Sequence, residues 1–229
     1  MGPEIVLSAL ASRRVKGAAR TVVLGDEGVL RRVARKLKYP LPAEVTSLST
    51  LDIKKLKPGR PTRTSSRAML SYIEEAVCMA KGGDVDAVVT APISKEAAGK
   101  AGFRFPGHTE FLAHLTGTKD FAMMLGGDKL KVVLVTIHEP LRRVPRLITG
   151  KRILKTLCIA DESFRKYFGV KRPRIAVAGL NPHAGEGGLF GDEERRIIAP
   201  AIKRARVRGI NATGPFPADT VFYRAARKG

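Results

Sequence analysis

The sequence predicts an α/β protein whose largely parallel sheet is covered by helices on both faces. Three observations point there. Apolar runs of strand length stand at residues 21–24, 86–90, 131–136 and 174–180. Longer stretches between them carry apolar residues at helical spacing, such as Met69, Tyr72, Ile73, Ala76, Val77 and Ala80, or Ile153, Leu157, Ala160, Phe164 and Phe168. The two kinds alternate along the chain. Strands that alternate with helices pair in parallel, because each helix carries the chain back across the sheet.

In chain order, Gly2-Pro3-Glu4 before Ile5, Val6, Leu7 and Leu10 reads as a helix start, with Pro in the first turn and an acid at the positive end. Residues 21–24 form a strand closed by Gly25-Asp26, and Val29, Leu30, Val33 and Leu37 continue as a helix. Residues 40–61 are Pro-rich, a connection with one short strand at 45–51. A helix over 67–81 ends at Gly82-Gly83. The strand at 86–90 leads through Ala91-Pro92 into a short helix opening at Ser94-Lys95-Glu96. Residues 103–107 form a turn before a helix for which Thr109 is the expected N-cap. After the strand at 131–136, a long helix stops at Gly169, and the strand at 174–180 follows. Ile198, Ile202 and Ala205 mark a helix kinked at Pro200. Residues 214–220, with Gly214, Pro215 and Pro217, read as a rigid loop.

Composition narrows the class. The chain has 229 residues, 44% of them hydrophobic, and its apolar runs are too short to span a bilayer. The basic n-region and apolar h-region of a signal peptide are not seen, so a cytoplasmic protein is expected. Cys78 and Cys158 fall in helical segments and read as buried, reduced thiols. Lys and Arg number 42 against 21 Asp and Glu, a net charge of +21. These bases are scattered and aromatics make up only 6%, so specific nucleic-acid binding is not expected. The positive field favours small anionic substrates instead.

Three stretches can carry chemistry. The first, Asn181-Pro182-His183-Ala184-Gly185-Glu186-Gly187-Gly188-Leu189-Phe190-Gly191-Asp192-Glu193-Glu194, follows a strand. A dinucleotide loop spaced G-x-G-x-x-G needs glycine where Phe190 stands, and a Walker-type loop needs Gly-Lys followed by Ser or Thr. The acids at 192–194 suit the positive end of the next helix and would repel a phosphate. That leaves His183, either a metal ligand or a loop histidine bonded to backbone. The second stretch is Gly107-His108-Thr109, where free helix N–H groups, an imidazole and a hydroxyl could meet an anion, or simply cap a helix. The third is Thr90-Ala91-Pro92-Ile93-Ser94-Lys95, whose lysine opposes the helix dipole at modest cost and reads either as an anion contact or, more commonly, as a solvated side chain. His114 reads as packing or surface. His138, at another strand end, stays open between structure and function.

Together these stretches resemble the 4-hydroxythreonine-4-phosphate dehydrogenase family of pyridoxal phosphate (vitamin B6) biosynthesis. The matching segments, in family order, are Gly2-Pro3-Glu4-Ile5, Val89-Thr90-Ala91-Pro92-Ile93-Ser94-Lys95-Glu96, Phe105-Pro106-Gly107-His108-Thr109-Glu110-Phe111, and the runs 179–194 and 214–222. The resemblance implies a two-domain α/β fold like isocitrate and isopropylmalate dehydrogenases, a homodimer, NAD, and a divalent metal such as Zn, Mg or Co. It implies a phosphorylated hydroxy-acid substrate, 4-phosphohydroxy-L-threonine, oxidised and then decarboxylated. By motif it makes His183 a metal ligand and His108 and Thr109 substrate contacts. Relatives that oxidise threonate or erythronate 4-phosphate fit the same motifs. The family's opening strand before Gly2 and its further metal histidines after Phe222 are not found in this sequence. The expectation is therefore a member shortened at both ends: a single incomplete region over 1–229, divided into two subdomains of open boundaries and inactive by itself. A non-catalytic basic remnant that binds polyanions is the reading from another class.

Overall fold

A computed structural model describes residues 1–228, and the chain falls into two compact units, Met1–Thr118 and Lys119–Gly229. In the first unit, helix α1 (Gly2–Ala11) is followed after Ser12 by a short α2 (Arg13–Ala18). Strand β1 (Val23–Gly25) pairs in parallel with β2 (Val45–Ser47), and α3 (Glu27–Leu37) connects them. Asp26 caps α3 by accepting the Val29 N–H at 2.9 Å, and its other oxygen accepts the Leu51 N–H at 2.7 Å. One buried carboxylate thus fastens both a helix start and the Pro-rich connection. Leu7, Leu30 and Ala34 form the core between α1 and α3, with Val23 and Val45 packed on it.

Helix α4 (Arg63–Gly82) starts four residues before the expected Arg67, because Thr62 and Ser65 make a reciprocal capping box. Helices α5 (Lys95–Lys100) and α6 (His108–Thr116) complete this unit. Two expectations fail here. Residues 86–90 are not a strand; no described strand pairs with them, and Val89 is 95% exposed, so nothing rewards the extended form. Cys78, expected buried, is exposed.

The second unit opens with an antiparallel pair, β3 (Met123–Gly126) and β4 (Lys131–Leu134), turned at 127–130. The short α7 (Val144–Leu147) precedes α8 (Gly150–Phe168), which Thr149 caps and Gly169 ends in the left-handed region. Strand β5 (Ile175–Ala178) pairs in parallel with β6 (Ala212–Phe216), and α9 (Ala199–Val207) lies between them in sequence. Ile153 and Leu157 of α8 meet Ala201, Ile202 and Ala205 of α9 in a core that also holds Ile198, Ile210 and Ala212. Helix α10 (Ala218–Lys228) follows β6 directly. The expected rigid loop at 214–220 is therefore the end of a strand and the start of a helix, because its first half finds β5 as a partner.

The described strands form three two-stranded sheets, two parallel and one antiparallel. The α/β class stands and two of the three described pairs are parallel, but the expected single sheet is corrected to three small ones, of which the β3–β4 hairpin is antiparallel. The kink expected at Pro200 takes the form of a π-turn over Glu194–Ile198, in which the Ala199 N–H reaches back to the Glu194 carbonyl. Widening the turn there relieves the clash between the proline ring and the carbonyl four residues earlier. Among the described residues no helix is long and apolar enough to cross a membrane.

Candidate functional site

His108 and Thr109 lie in the first unit and His183 in the second, and each half is described by itself. In the first unit, Gly107 and not Thr109 is the N-cap of α6, and among the described residues no side chain caps the free N–H groups of the first turn. The extended backbone of Gly107 starts the helix one residue earlier than expected, which moves Thr109 inside the first turn. Phe103, Phe105 and Phe111 stack around this end at centroid distances of 5.1 to 5.5 Å. The exposed His114 ring packs on Phe105 at 5.0 Å, so it belongs to this apolar buttress.

His108 is half-buried, and its Nε2 is shielded from solvent without a hydrogen-bond partner. Burial, and then the charge of Lys95, hold its pKa below the ordinary 6.5. The ring is therefore neutral at neutral pH. Lys95 opens α5, and its Nζ lies 3.9 Å from where a Cβ on Gly107 would stand. The fold thus gathers Lys95, Gly107 and His108, and adds the uncapped N–H groups of α6. An orphan imidazole nitrogen, a cation and open helix amides together suit an anionic ligand with an oxygen to place against Nε2.

In the second unit, β5 runs into a tight turn over Pro182–Gly188. His183, Ala184, Gly185, Glu186 and Gly187 all take positive φ, from 43° to 85°. Three of these five are not glycine, and each such residue in the left-handed region costs about 1–2 kcal/mol. What holds the turn is Glu194, a carboxylate only 5% exposed. Its Oε1 accepts the N–H groups of Leu180 and Asn181 at 2.7 Å each, and its Oε2 accepts the Asn181 side-chain amide at 2.9 Å. The same amide donates to Glu193 at 2.7 Å. Burial pushes the Glu194 carboxyl up, and the hydrogen bonds from Asn181, its own backbone and Leu180 outweigh that, so it sits below the usual carboxylate range. The His183 imidazole is exposed, 6.2 Å from the Phe190 ring.

Glu194 and Asn181 were missed in the sequence. Asp192, Glu193 and Glu194 read there as charges at a helix start, and only the spacing of the glycines hinted otherwise. Asp192 does serve the helix, pairing with Arg196 at 3.1 Å, whereas Glu194 turns back under the loop. His138 shares two properties with His183: it lies exposed just past a strand, β4, and it takes positive φ, 54°. Among the described residues no three His, Cys, Asp or Glu side chains converge as a metal centre would require.

An α/β chain with exposed imidazoles beyond its strand ends, and a helix start suited to an anion, belongs to the class of α/β proteins that place ligand sites past their strand ends. Comparison with known proteins narrows the class. Residues 17–229 match the family model described as pyridoxal phosphate biosynthetic protein PdxA. A protein of Desulforapulum autotrophicum named 4-hydroxythreonine-4-phosphate dehydrogenase is 46% identical over 99% of this chain and 71% of its own length. The crystal structure of 4-hydroxythreonine-4-phosphate dehydrogenase from Klebsiella pneumoniae superposes with a TM-score of 0.89 at 41% identity, over 99% of this chain and 74% of that one. A putative D-threonate 4-phosphate dehydrogenase of Oceanobacillus iheyensis is 39% identical, over 99% of this chain and 73% of its own length. The chain belongs to the PdxA family of dehydrogenases.

Proposed function

We propose that this chain serves the NAD-dependent, divalent-metal-dependent oxidation and decarboxylation of 4-phosphohydroxy-L-threonine. The observation that carries the reading is 46–47% identity, over 99% of the chain, to relatives named for that substrate. The relative named for D-threonate 4-phosphate stands at 39% and supplies the second reading. The two substrates differ in carrying an amino or a hydroxyl group, so discrimination between them is chemical and measurable.

In this reading the substrate's anionic end meets the α6 amides and Lys95. The neutral His108 Nε2 and the Thr109 hydroxyl bond its oxygens. Oxidation removes a hydride and a proton from the carbinol, and the resulting keto acid loses carbon dioxide. His183 is one metal donor, and His138 is a second candidate with the same strand-end, left-handed setting. A catalytic zinc takes about three protein ligands, which the described residues alone do not bring together. The set is then completed by other groups, for which a homodimer is the proposed source, and no step is derived through the metal.

Two measurements test this. Thermal unfolding with 4-phosphohydroxy-L-threonine, D-threonate 4-phosphate or inorganic phosphate should show the greatest stabilisation by the first, lost in His108→Ala. Equal stabilisation by all three overturns the substrate assignment. Incubated with NAD, zinc and substrate, polypeptide 1–229 should form no NADH above background while it is monomeric; steady turnover by the monomer overturns the claim that its donor set needs completion. Salt-sensitive RNA binding without any response to the substrates would favour a polyanion-binding remnant instead.

A further inference from the structure

The left-handed run at 183–187 does not persist by local preference, since three of its members carry a Cβ. Its support comes from one side. Glu194 lies 11 residues along the chain from His183, in the π-turn, and holds the two backbone N–H groups that immediately precede the run. Three glycines crowd this carboxylate and its amide partner. A Cβ on Gly179 would stand 3.1 Å from Glu194 Oε1, one on Gly185 2.9 Å from Oε2, and one on Gly191 2.5 Å from Asn181 Nδ2. Glycines placed so that the backbone can close on one buried side chain mark a built clamp. Within the run, the Ala184 N–H donates to the Asn181 carbonyl at 3.1 Å and the Phe190 N–H to the Gly185 carbonyl at 3.2 Å. Asn181 is thus bonded through its N–H, its carbonyl and its side-chain amide.

We infer that Glu194 and Asn181 are positioning residues that hold the left-handed turn and so set where the His183 imidazole stands. They act through His183 and touch no substrate. The value of the clamp to catalysis rests on the reading of His183 as a metal donor, but the clamp itself does not. The exposed imidazole has the Phe190 ring beside it at 6.2 Å, and Phe190 belongs to the same loop, so the ring takes its place from the backbone beneath it.

Amide hydrogen exchange of polypeptide 1–229 tests the clamp directly. In Glu194→Ala the Ala184 and Phe190 amides should exchange roughly tenfold or more faster, while Ile153 and Leu157 in α8 keep their rates. Asn181→Ala, which leaves the Leu180 and Asn181 backbone N–H groups donating to Glu194, should show a smaller loss confined to the same amides. Uniform acceleration across residues 119–228 in both variants would mean a merely structural role, and unchanged rates would remove the clamp altogether. Glu194→Gln keeps one carbonyl oxygen for the Leu180 and Asn181 N–H groups and should recover part of the protection; no recovery would count against the proposal. The His183 ring resonances separate the two readings: they should shift in both clamp variants without added metal. If they do, and zinc leaves them untouched in the wild-type chain in the presence of substrate, the metal reading fails while the clamp stands.

Discussion

Gly185→Ala and Gly187→Ala form a matched pair on the His183 turn. Both glycines have positive φ, 85° and 67°, so each alanine pays the left-handed penalty of about 1–2 kcal/mol. Each also gains roughly 0.5–1 kcal/mol from a less flexible unfolded chain. For Gly187 nothing lies within 4 Å of the new Cβ, so its net cost should be at most about 1.5 kcal/mol. At Gly185 the Cβ would stand 2.9 Å from both Glu194 Oε2 and the Gly191 carbonyl oxygen. Neither is the loose end of a free side chain, since Glu194 is held by three hydrogen bonds and Gly191 is backbone. The overlap should add about 1–3 kcal/mol. Urea unfolding monitored by tryptophan-free probes, far-ultraviolet dichroism or exchange of the α8 amides, reads the difference. Equal midpoints for the two variants would refute the view that the turn closes tightly on Glu194.

Core and site make further predictions. Ile202→Ala, at a side chain 2% exposed in α9, should destabilise the unit by about 2–5 kcal/mol in urea unfolding. Thr62→Ala removes the α4 capping box and should cost about 1 kcal/mol in the same assay. His108 is held below 6.5 by burial and then by Lys95, so the folded chain favours its neutral form. Its contribution to stability is fully present above about pH 6.5 and is lost as pH falls through the depressed folded value. His108→Asn should flatten that acid-side slope in unfolding midpoints measured against pH, and Lys95→Met should shallow it.

The elements legible in the sequence are those whose signals are local. The stripe from Met69 to Ala80 and the run from Ile153 to Phe168 each became a helix, because periodic burial and a capping residue sit within the segment itself. Residues 86–90 carry as good a strand pattern as 174–180, yet only the latter found a partner, in β6. Pairing is a property of two segments, and a one-dimensional pattern holds only half of it. The hairpin of β3 and β4 was missed although Gly126-Gly127-Asp128 is turn chemistry, because Met123, Met124 and Leu125 alternate with nothing. His108 and Lys95 were both noticed, but their nearness follows from the bend between α5 and α6, and the orphan Nε2 can be seen only in three dimensions.

The His183 turn shows most sharply where sequence reasoning stops. Three non-glycine residues at positive φ cost about 3–6 kcal/mol together, and no composition rule puts histidine, alanine and glutamate there. A carboxylate accepting three hydrogen bonds in a buried place contributes about 1.5–3 kcal/mol for each. The two magnitudes are similar, so the turn holds its shape only while Glu194 is seated and ionised. The strain therefore sits where a side chain 11 residues away can hold it, and a chain that continued β5 in extended form would carry His183 onward along the strand instead. A glycine-rich stretch after a strand reads as freedom. Here its glycines make room for one acid, and that acid takes the freedom away.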